Sequence, residues 1–238
     1  MTTTIDLNAD LGEGFPNDAR LLDLVTSASI SCGAHAGDDS SILATLREAK
    51  QRGINVGAHP GYPDREHFGR VELDLEDSQV SRIIAEQFEH LKSIADREGV
   101  ELQFIKPHGA LYNQAQRSEK IARGIVLAIR RIGLPLLGQP ESILEKMASE
   151  FQVPFISEGF PERRYEPDGR LVARTRPDAV LHEPAEIESQ VVRLVNLGMK
   201  TLCIHGDDPN AVAKAELVRS ALITHGIQPR FWGRTEAL

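Results

Sequence analysis

The sequence predicts an α/β fold in which seven or eight strand–helix units close into one parallel barrel. Short β-like runs alternate with amphipathic helices along the chain, a pattern typical of repeated βαβ units. The 238 residues suffice for one large buried core, and no linker, low-complexity tract or repeat divides them. We therefore expect a single domain over residues 1–238, with the number of units favouring a closed barrel over an open sheet.

The first half of the chain contains four predicted strands, at 5–10, 29–31, 55–58 and 102–105. A helix at 40–51 ends at Gly53, where a glycine can close the last turn. Asp77 is suited to cap a second helix, whose apolar residues recur with the spacing of one buried face.

The second half continues the alternation, with strands expected at 134–137, 153–156, 201–204 and near 228–231. Helices are expected at 118–131, from Pro140, from Pro184, and from Asp208-Pro209 to His225. Proline is suited to the start of a helix, because the first turn leaves its backbone N–H groups unpaired and proline has none to lose. Residues 158–181 show neither helical nor strand periodicity, and a loop of that length in a compact domain is usually functional or mobile.

Composition excludes several classes of function. The net charge is −8 and no run of Lys or Arg occurs, so the electrostatic footprint of a nucleic-acid-binding protein is missing. The N-terminal residues have no basic or apolar stretch of a targeting peptide, and no window is apolar enough to span a membrane. Cys32 and Cys203 form no Cys-x-x-Cys pair, so we expect reduced, buried thiols and a cytoplasmic protein.

Polar residues concentrate where the predicted strands end, which is where a β/α barrel builds its active site. They are Asn8, Asp10, Glu13, His35, Asp38, His59, Lys106, His108, Glu158, His205 and Asp207. Any one of these histidines is more often structural than catalytic, and Asp10 with Glu13 could simply form a turn and a helix start. Their convergence on one barrel mouth nevertheless favours an active site.

A carboxylate with several histidines can bind a divalent metal, and Asp10, His35, His59 and His205 are the candidates. No His-x-x-His or His-Glu-x-x-His spacing occurs, so local spacing does not establish such a site. A phosphate loop, a dinucleotide fingerprint and a Gly-x-Ser-x-Gly elbow are also absent from the sequence. The arginines at 163–164 and 170–176 are interpreted first as a solvated loop face, and second as a site for anion capture or docking.

Several of these segments together resemble the LamB/YcsF family. The matching segments are 6–14 (DLNADLGEG), 32–38 (CGAHAGD), 57–64 (GAHPGYPD), 68–70 (FGR), 106–113 (KPHGALYN), 158–159, 163–170 (RRYEPDGR) and 205–207 (HGD). The run at 106–113 is highly specific, and the segments follow the family order over residues 6–208. The chain departs from the family pattern at Ala9, Ala34 and Gly61, where Cys, a bulky aromatic residue and Ser are expected.

The resemblance implies a distorted TIM-like barrel of the glycoside hydrolase/deacetylase type. It also implies a 5-oxoprolinase reaction, in which the lactam of 5-oxo-L-proline (pyroglutamate) is opened to L-glutamate with ATP as co-substrate. The partners would be the B and C subunits of a 5-oxoprolinase complex. A divalent metal is a further candidate cofactor that the sequence does not establish.

From the chemistry of the residues, we assign Asp10 or His59 as the general base and Lys106 with His108 as stabilisers of developing negative charge. The residues expected to bind or orient the substrate are Asn8, Glu13, His35, Asp38, Tyr112, Glu158, His205 and Asp207. Two alternatives stay open: a stand-alone metal-dependent amide hydrolase or deacetylase, and a non-catalytic protein that binds a lactam or carbohydrate for a partner. The density of ionisable residues weighs against the second.

Overall fold

A computed structural model describes residues 3–174 and 176–233 of the chain. Seven parallel strands form the barrel: β1 Thr4–Leu11, β2 Ser27–Ser31, β3 Asn55–His59, β4 Leu102–Ile105, β5 Leu136–Gly138, β6 Phe155–Gly159 and β7 Thr201–His205. Each strand pairs with the next along the chain, and β1 pairs with both β2 and β7, which closes the barrel. A two-residue strand, β8 (Gln228–Pro229), pairs with the start of β1. The predicted fold class is confirmed.

The helices surround the barrel: α1 Asp18–Leu22, α2 Asp39–Arg52, α3 Asp77–Glu98, α4 Gly109–Ala115, α5 Glu119–Ile132, α6 Ile143–Glu150, α7 Pro184–Asn196 and α8 Ala211–Thr224. Gly53 ends α2 with a positive φ of 65°, as predicted. Pro184 lies in the first turn of α7, also as predicted. No helix within the described residues has both the length and the apolar character needed to cross a membrane.

Several predicted boundaries were wrong. Helix α6 begins at Ile143 rather than Pro140, because the Ser142 hydroxyl caps it by accepting from the Glu145 N–H. Helix α8 begins at Ala211 rather than at Asp208. Helices α1 and α4 were not predicted, since five and seven residues are too few to show a clear period. Asp77 opens α3 as its first residue, and Glu76 is the N-cap.

Strand β1 shows how the barrel separates its apolar and polar residues. Leu7, Ala9 and Leu11 are fully buried in the core between the strands and the helices. Asp6, Asn8 and Asp10 alternate with them and are also buried, but they hydrogen-bond to side chains on other strands or just beyond them. Because successive side chains of a strand point to opposite faces, the polar set lines the barrel interior.

The segment between β6 and α7 is irregular, as predicted, but it is tied together by two antiparallel bridges. Arg163 pairs with Val180, and Tyr165 pairs with Leu171. The two bridges fold this segment over the carboxyl end of the barrel. Arg163 and Arg174 border the same cavity there.

Candidate active site

Lys106 lies at the centre of the polar interior, with only 2% of its surface exposed. Its Nζ donates to Asp10 Oδ1 at 2.7 Å and to Cys203 Sγ at 2.8 Å, and it lies 3.0 Å from Glu158 Oε1. Burial alone would lower the pKa of Lys106, but the negative charges of its neighbours, Asp10 first, raise that pKa well above the ordinary value. Lys106 is therefore held as a charged ammonium group at neutral pH.

Glu158 holds the other side of this ammonium group. It also accepts from Asn8 Nδ2 at 3.1 Å, and Asn8 in turn donates to Thr201 Oγ1 at 2.7 Å. Burial raises the pKa of Glu158, while Lys106 opposes that shift. Neither Glu158 Oε2 nor the buried Tyr112 hydroxyl makes a hydrogen bond of ordinary length within the protein, but burial and an interaction with Glu158 raise the pKa of Tyr112 well above its ordinary value. Tyr112 also lies on the wall of a cavity, so its hydroxyl can meet a ligand there.

Four further residues form a second cluster beside the first: Glu13, His35, His59 and His108. His59 Nε2 lies 2.9 Å from His108 Nδ1, and Glu13 Oε1 lies 3.4 Å from that same Nδ1. His35 is stacked on His108 with ring centroids 3.8 Å apart, and its Nε2 lies 3.1 Å from Glu13 Oε1. His59 Nε2 is also 3.5 Å from Asp10 Oδ2, which joins the two clusters.

Burial governs the protonation of this second cluster. It lowers the pKa of His35 to about 3, and it lowers the pKa values of His59 and His108 well below the ordinary value. It raises the pKa of Glu13 well above its ordinary value, with a further contribution from the Asp10 charge. Three neutral imidazoles and a carboxyl group thus stand at the ends of β1, β2 and β3 and beyond β4.

His205 ends β7 in register with Asp10 on the neighbouring strand β1, and Asp207 follows two residues later. His205 pairs with Glu162 and stacks on Phe160, and burial lowers the pKa of His205 well below its ordinary value. Asp207 pairs with Arg70 and lies 3.9 Å from Arg174. These residues thus border the mouth without touching Lys106.

A cavity of about 680 Å³ opens over the two clusters. Asp10, His59, Lys106, His108, Tyr112 and His205 lie along its wall. Five arginines also line it: Arg70, Arg117, Arg163, Arg170 and Arg174. Their number favours an anionic ligand, because guanidinium groups bind carboxylate and phosphate oxygens well.

Asp38 does not join the site, contrary to the prediction. Its side chain accepts from the Ser41 N–H at 2.8 Å and from the Ser40 hydroxyl at 2.7 Å, and so caps α2 in an exposed position. These hydrogen bonds lower the pKa of Asp38 to about 2. The residue that follows β2 therefore serves the helix rather than the cavity.

The four predicted metal candidates do not form one set. His35 and His59 group with Glu13 and His108, whereas Asp10 and His205 group with Cys203. Both cysteines are free and buried, as predicted. Burial raises the pKa of Cys32 to about 12, consistent with a structural thiol, but the contact of Cys203 with Lys106 was not foreseen.

Two other residues at the site were missed, Phe160 and Glu162, and so was the buried carboxylate of Asp6 at the amino end of the barrel. Asp6 stands in the same alternation as Asn8 and Asp10, and that period-two signal could have identified it. Glu162 and Phe160 belong to the irregular segment, where no sequence pattern predicts which way a side chain points.

Comparison with known proteins places the chain among a set of named relatives. The LamB/YcsF family model matches residues 5–236. A protein from Methylococcus capsulatus that bears the name of the 5-oxoprolinase A subunit is 41% identical, with 95% of each chain covered. A Neisseria meningitidis protein of the same name is 39% identical, covering 94% of this chain and 98% of its own.

Solved structures agree in fold. The crystal structure of a lactam utilization protein from Thermus thermophilus superposes with a TM-score of 0.90 at 37% identity, covering 97% of this chain and all of the other. Peptidoglycan and polysaccharide deacetylases, at 11–13% identity and TM-scores of 0.51–0.57, share the fold alone. The expected deacetylase-type barrel is thereby confirmed.

Proposed function

This chain belongs to the LamB/YcsF family, and from that premise we propose that it is the A subunit of a cytoplasmic 5-oxoprolinase. In this proposal it opens the lactam of pyroglutamate to L-glutamate, with ATP hydrolysed to ADP and phosphate, in a complex with B and C subunits. Its relatives carry the name of the 5-oxoprolinase A subunit, and a protein named as one component of an enzyme implies further components.

One observation carries the proposal: a buried ammonium group and two carboxylates stand beside neutral histidines at the inner end of an arginine-lined cavity. Lys106 Nζ lies within 3.0 Å of both Asp10 and Glu158, and His59 is 3.5 Å from Asp10. Such a set can accept a proton from water and stabilise an oxyanion in the same place. The arginines suit the carboxylate of pyroglutamate or a phosphate carried by an activated form of it.

The chemistry explains the need for ATP. A five-membered lactam is an unstrained amide, so its carbonyl carbon is a poor electrophile. Transfer of a phosphoryl group to the carbonyl oxygen gives an imidate that water can attack. The sequence has no phosphate loop, which supports a division of labour in which ATP acts on the partner proteins and hydrolysis occurs in this barrel.

Within this proposal each residue has a defined task. Asp10, with His59 beside it, accepts the proton of the attacking water, because a carboxylate or a neutral imidazole can do so. Lys106 and His108 stabilise the developing negative charge. Tyr112 presents its hydroxyl to the ligand from the cavity wall, Glu158 neutralises Lys106 from the other side, and Asn8 holds Glu158 in place. Glu13 and His35 contact His108 and hold its ring in place. His205 and Asp207 border the mouth.

The test is glutamate release from pyroglutamate by this chain alone and by the chain with its B and C partners, each with and without ATP. We expect release only with partners and ATP. Lys106→Met should abolish it, and Lys92→Met, which removes an exposed lysine paired with Asp96, should not. Failure of the full complex with ATP would contradict the proposal.

The histidine cluster favours one second candidate, a stand-alone metal-dependent amide hydrolase. The same assay separates the two, because this candidate requires neither ATP nor partners and is inhibited by a chelator. Ligand binding without turnover, unaffected by loss of Asp10, would instead indicate a non-catalytic binding protein.

A further inference from the structure

Two backbone carbonyls fix the tautomers of the paired histidines. The carbonyl oxygen of Lys106 lies 2.7 Å from His59 Nδ1, and that of Phe68 lies 2.9 Å from His108 Nε2. A carbonyl oxygen can only accept, so each of these ring nitrogens must carry a hydrogen atom. The opposite nitrogens, His59 Nε2 and His108 Nδ1, are then without hydrogen atoms in the neutral rings.

These two unprotonated nitrogens face each other at 2.9 Å. Their lone pairs repel at that distance unless a cation lies against both. A third acceptor is directed at the same space, because Glu13 Oε1 lies 3.4 Å from His108 Nδ1 and 3.9 Å from His59 Nε2. All three side chains are at least nine-tenths buried, so bulk water does not relieve the repulsion.

His35 stands next to this group but cannot share a cation with His108. The two rings are parallel within 6° and their centroids are 3.8 Å apart. An imidazole binds a metal in its own ring plane, and a cation in the plane of His108 lies well out of the plane of His35. His35 Nε2 instead donates to Glu13 Oε1 at 3.1 Å and holds that carboxylate in place.

We propose that Glu13, His59 and His108 form a binding site for one divalent first-row transition ion of the zinc type. The ligand atoms are Glu13 Oε1, His59 Nε2 and His108 Nδ1. Two imidazoles and one carboxylate select such an ion over Mg²⁺ or Ca²⁺, which prefer oxygen ligands. Three protein ligands leave a fourth position open, as in catalytic rather than structural zinc sites.

The spacing of the three atoms fits this ion. With bonds of about 2.1 Å, a tetrahedral ion separates its ligand atoms by about 3.4 Å. The observed separations are 2.9, 3.4 and 3.9 Å. Ion binding thus needs shifts of a few tenths of an ångström from each side chain rather than a new rotamer.

The surrounding backbone holds the ligands in place. Phe68 has a φ of 57°, a left-handed conformation that is strained for a bulky residue, and its carbonyl is the one that accepts from His108. Gly69 packs against the same ring, where an added Cβ would come within 3.1 Å of His108 Cδ2. Asp10 Oδ2 lies 3.5 Å from His59 Nε2, so the water-activating role given to Asp10 has an ion beside it. That role in lactam opening rests on the proposed function, whereas ion binding itself does not.

The test uses the full chain, treated with a chelator and then titrated with Zn²⁺ by calorimetry and with Co²⁺ by visible absorption. We expect one ion per chain and the absorption of a four- or five-coordinate Co²⁺. Glu13→Gln, His59→Gln and His108→Gln should each weaken binding at least about a hundredfold. His35→Gln, which acts through Glu13, should weaken it about tenfold. His67→Gln is the matched control, since His67 is an exposed histidine paired with Asp64.

A second measurement avoids any dependence on the folding of variants. In ¹⁵N NMR of the histidine rings of the wild-type chain, Zn²⁺ should shift His59 Nε2 and His108 Nδ1 and leave the His35 nitrogens free of metal. Folded wild-type chain that binds no stoichiometric ion, or binding unchanged by His59→Gln and His108→Gln, would overturn the site. In that case a proton shared by the two rings relieves the repulsion. Glutamate release by an ion-free complex would refute a role of the ion in the reaction and leave the binding site intact, and an ion-loaded complex without release would refute the proposed function alone.

Discussion

Asp6 and Asp10 lie four residues apart on the inward side of β1, yet the two ends of the barrel use them differently. Asp6, toward the amino end, accepts from the hydroxyls of Thr26, Ser27 and Thr201 at 2.6–2.8 Å. Asp10, at the carboxyl end, is paired with Lys106 and adjoins His59. Both carboxylates are buried, with 0% and 4% of their surfaces exposed.

The two carboxylates differ in whether the polar atoms around them have hydrogen-bond partners. The three hydroxyl groups around Asp6 all have the carboxylate as an acceptor, so that group is complete within the protein. Around Asp10, Glu158 Oε2, the Tyr112 hydroxyl and His35 Nδ1 are buried without a hydrogen bond of ordinary length, and two histidine nitrogens face each other at 2.9 Å. Because a buried polar group that the protein does not satisfy can bind a ligand, we propose that the carboxylate at the carboxyl end acts on the ligand and the one at the amino end is structural.

The largest expected effect is on turnover at the carboxyl end. Asp10→Asn should lower the turnover of the reconstituted complex at least about a hundredfold, because an amide cannot accept the proton of the attacking water. The free energy of unfolding should fall by less than the roughly 3–5 kcal/mol of a broken buried ion pair, since Glu158 still neutralises Lys106 and the Asn oxygen can still accept from it. Glutamate assays and urea denaturation measure the two quantities. Near-normal turnover in a folded variant would remove Asp10 from the catalytic set.

The opposite pattern is expected at the amino end. Asp6→Ala should lower the free energy of unfolding by about 2 kcal/mol, because three buried hydroxyls lose their common acceptor. Turnover per folded molecule should stay within about threefold of wild type. A large loss of turnover in folded Asp6→Ala would mean that the polar interior acts as one unit, and the comparison would break.

The pH dependence of stability sharpens the same comparison. Burial raises the pKa of Asp6 to about 6 from an ordinary 3.8, so the folded chain binds a proton that the unfolded chain has lost between these values. Stability from that proton is present at low pH and is lost as pH rises through 6. Relative to Asp6→Asn, the wild type should lose about 2 kcal/mol between pH 4 and pH 7. If the free energies of unfolding of wild type and Asp6→Asn instead change in parallel with pH, the pKa of Asp6 is not raised in the folded chain.

The smallest expected effect concerns one hydroxyl group. Tyr112→Phe should leave the free energy of unfolding within about 0.5 kcal/mol, because the hydroxyl makes no hydrogen bond of ordinary length in the protein. The KM for pyroglutamate should rise about fivefold, the value of one lost hydrogen bond to the ligand. Tyr62→Phe is the matched control, since that hydroxyl donates to Gln114. Tyr62→Phe should lower stability and leave the KM unchanged. A raised KM in Tyr62→Phe with an unchanged KM in Tyr112→Phe would place the ligand elsewhere.

Much of this architecture could be predicted from the sequence, because strands, helices and their caps are local patterns. Asp10, His59, Lys106 and His108 follow directly from the rule that barrel sites lie at strand ends. Asp38 follows the same rule and was misassigned, although the Asp-Asp-Ser-Ser run at 38–41 is itself a capping signal. Local pattern cannot decide which of two uses a strand-end carboxylate has.

The contacts within the candidate site join residues that are far apart in the sequence. Glu158 and Lys106 are 52 residues apart, and His59 meets His108 across 49 residues. These pairings depend on barrel closure and on the direction of each ring, which no period in the sequence encodes. The histidine tautomers depend further on two carbonyl groups, one of them at the unusual φ of Phe68.

The most direct test of the account is a crystal structure of the chain with pyroglutamate bound. We predict the ring in the cavity at the carboxyl end, with its lactam near Lys106 and the Tyr112 hydroxyl and its carboxylate toward the arginines. A larger groove of about 1020 Å³ runs along the outside of α3 and α5, lined by residues such as Phe88 and Leu127. Pyroglutamate in that outer groove, with the barrel cavity vacant at saturating ligand, would contradict the central claim.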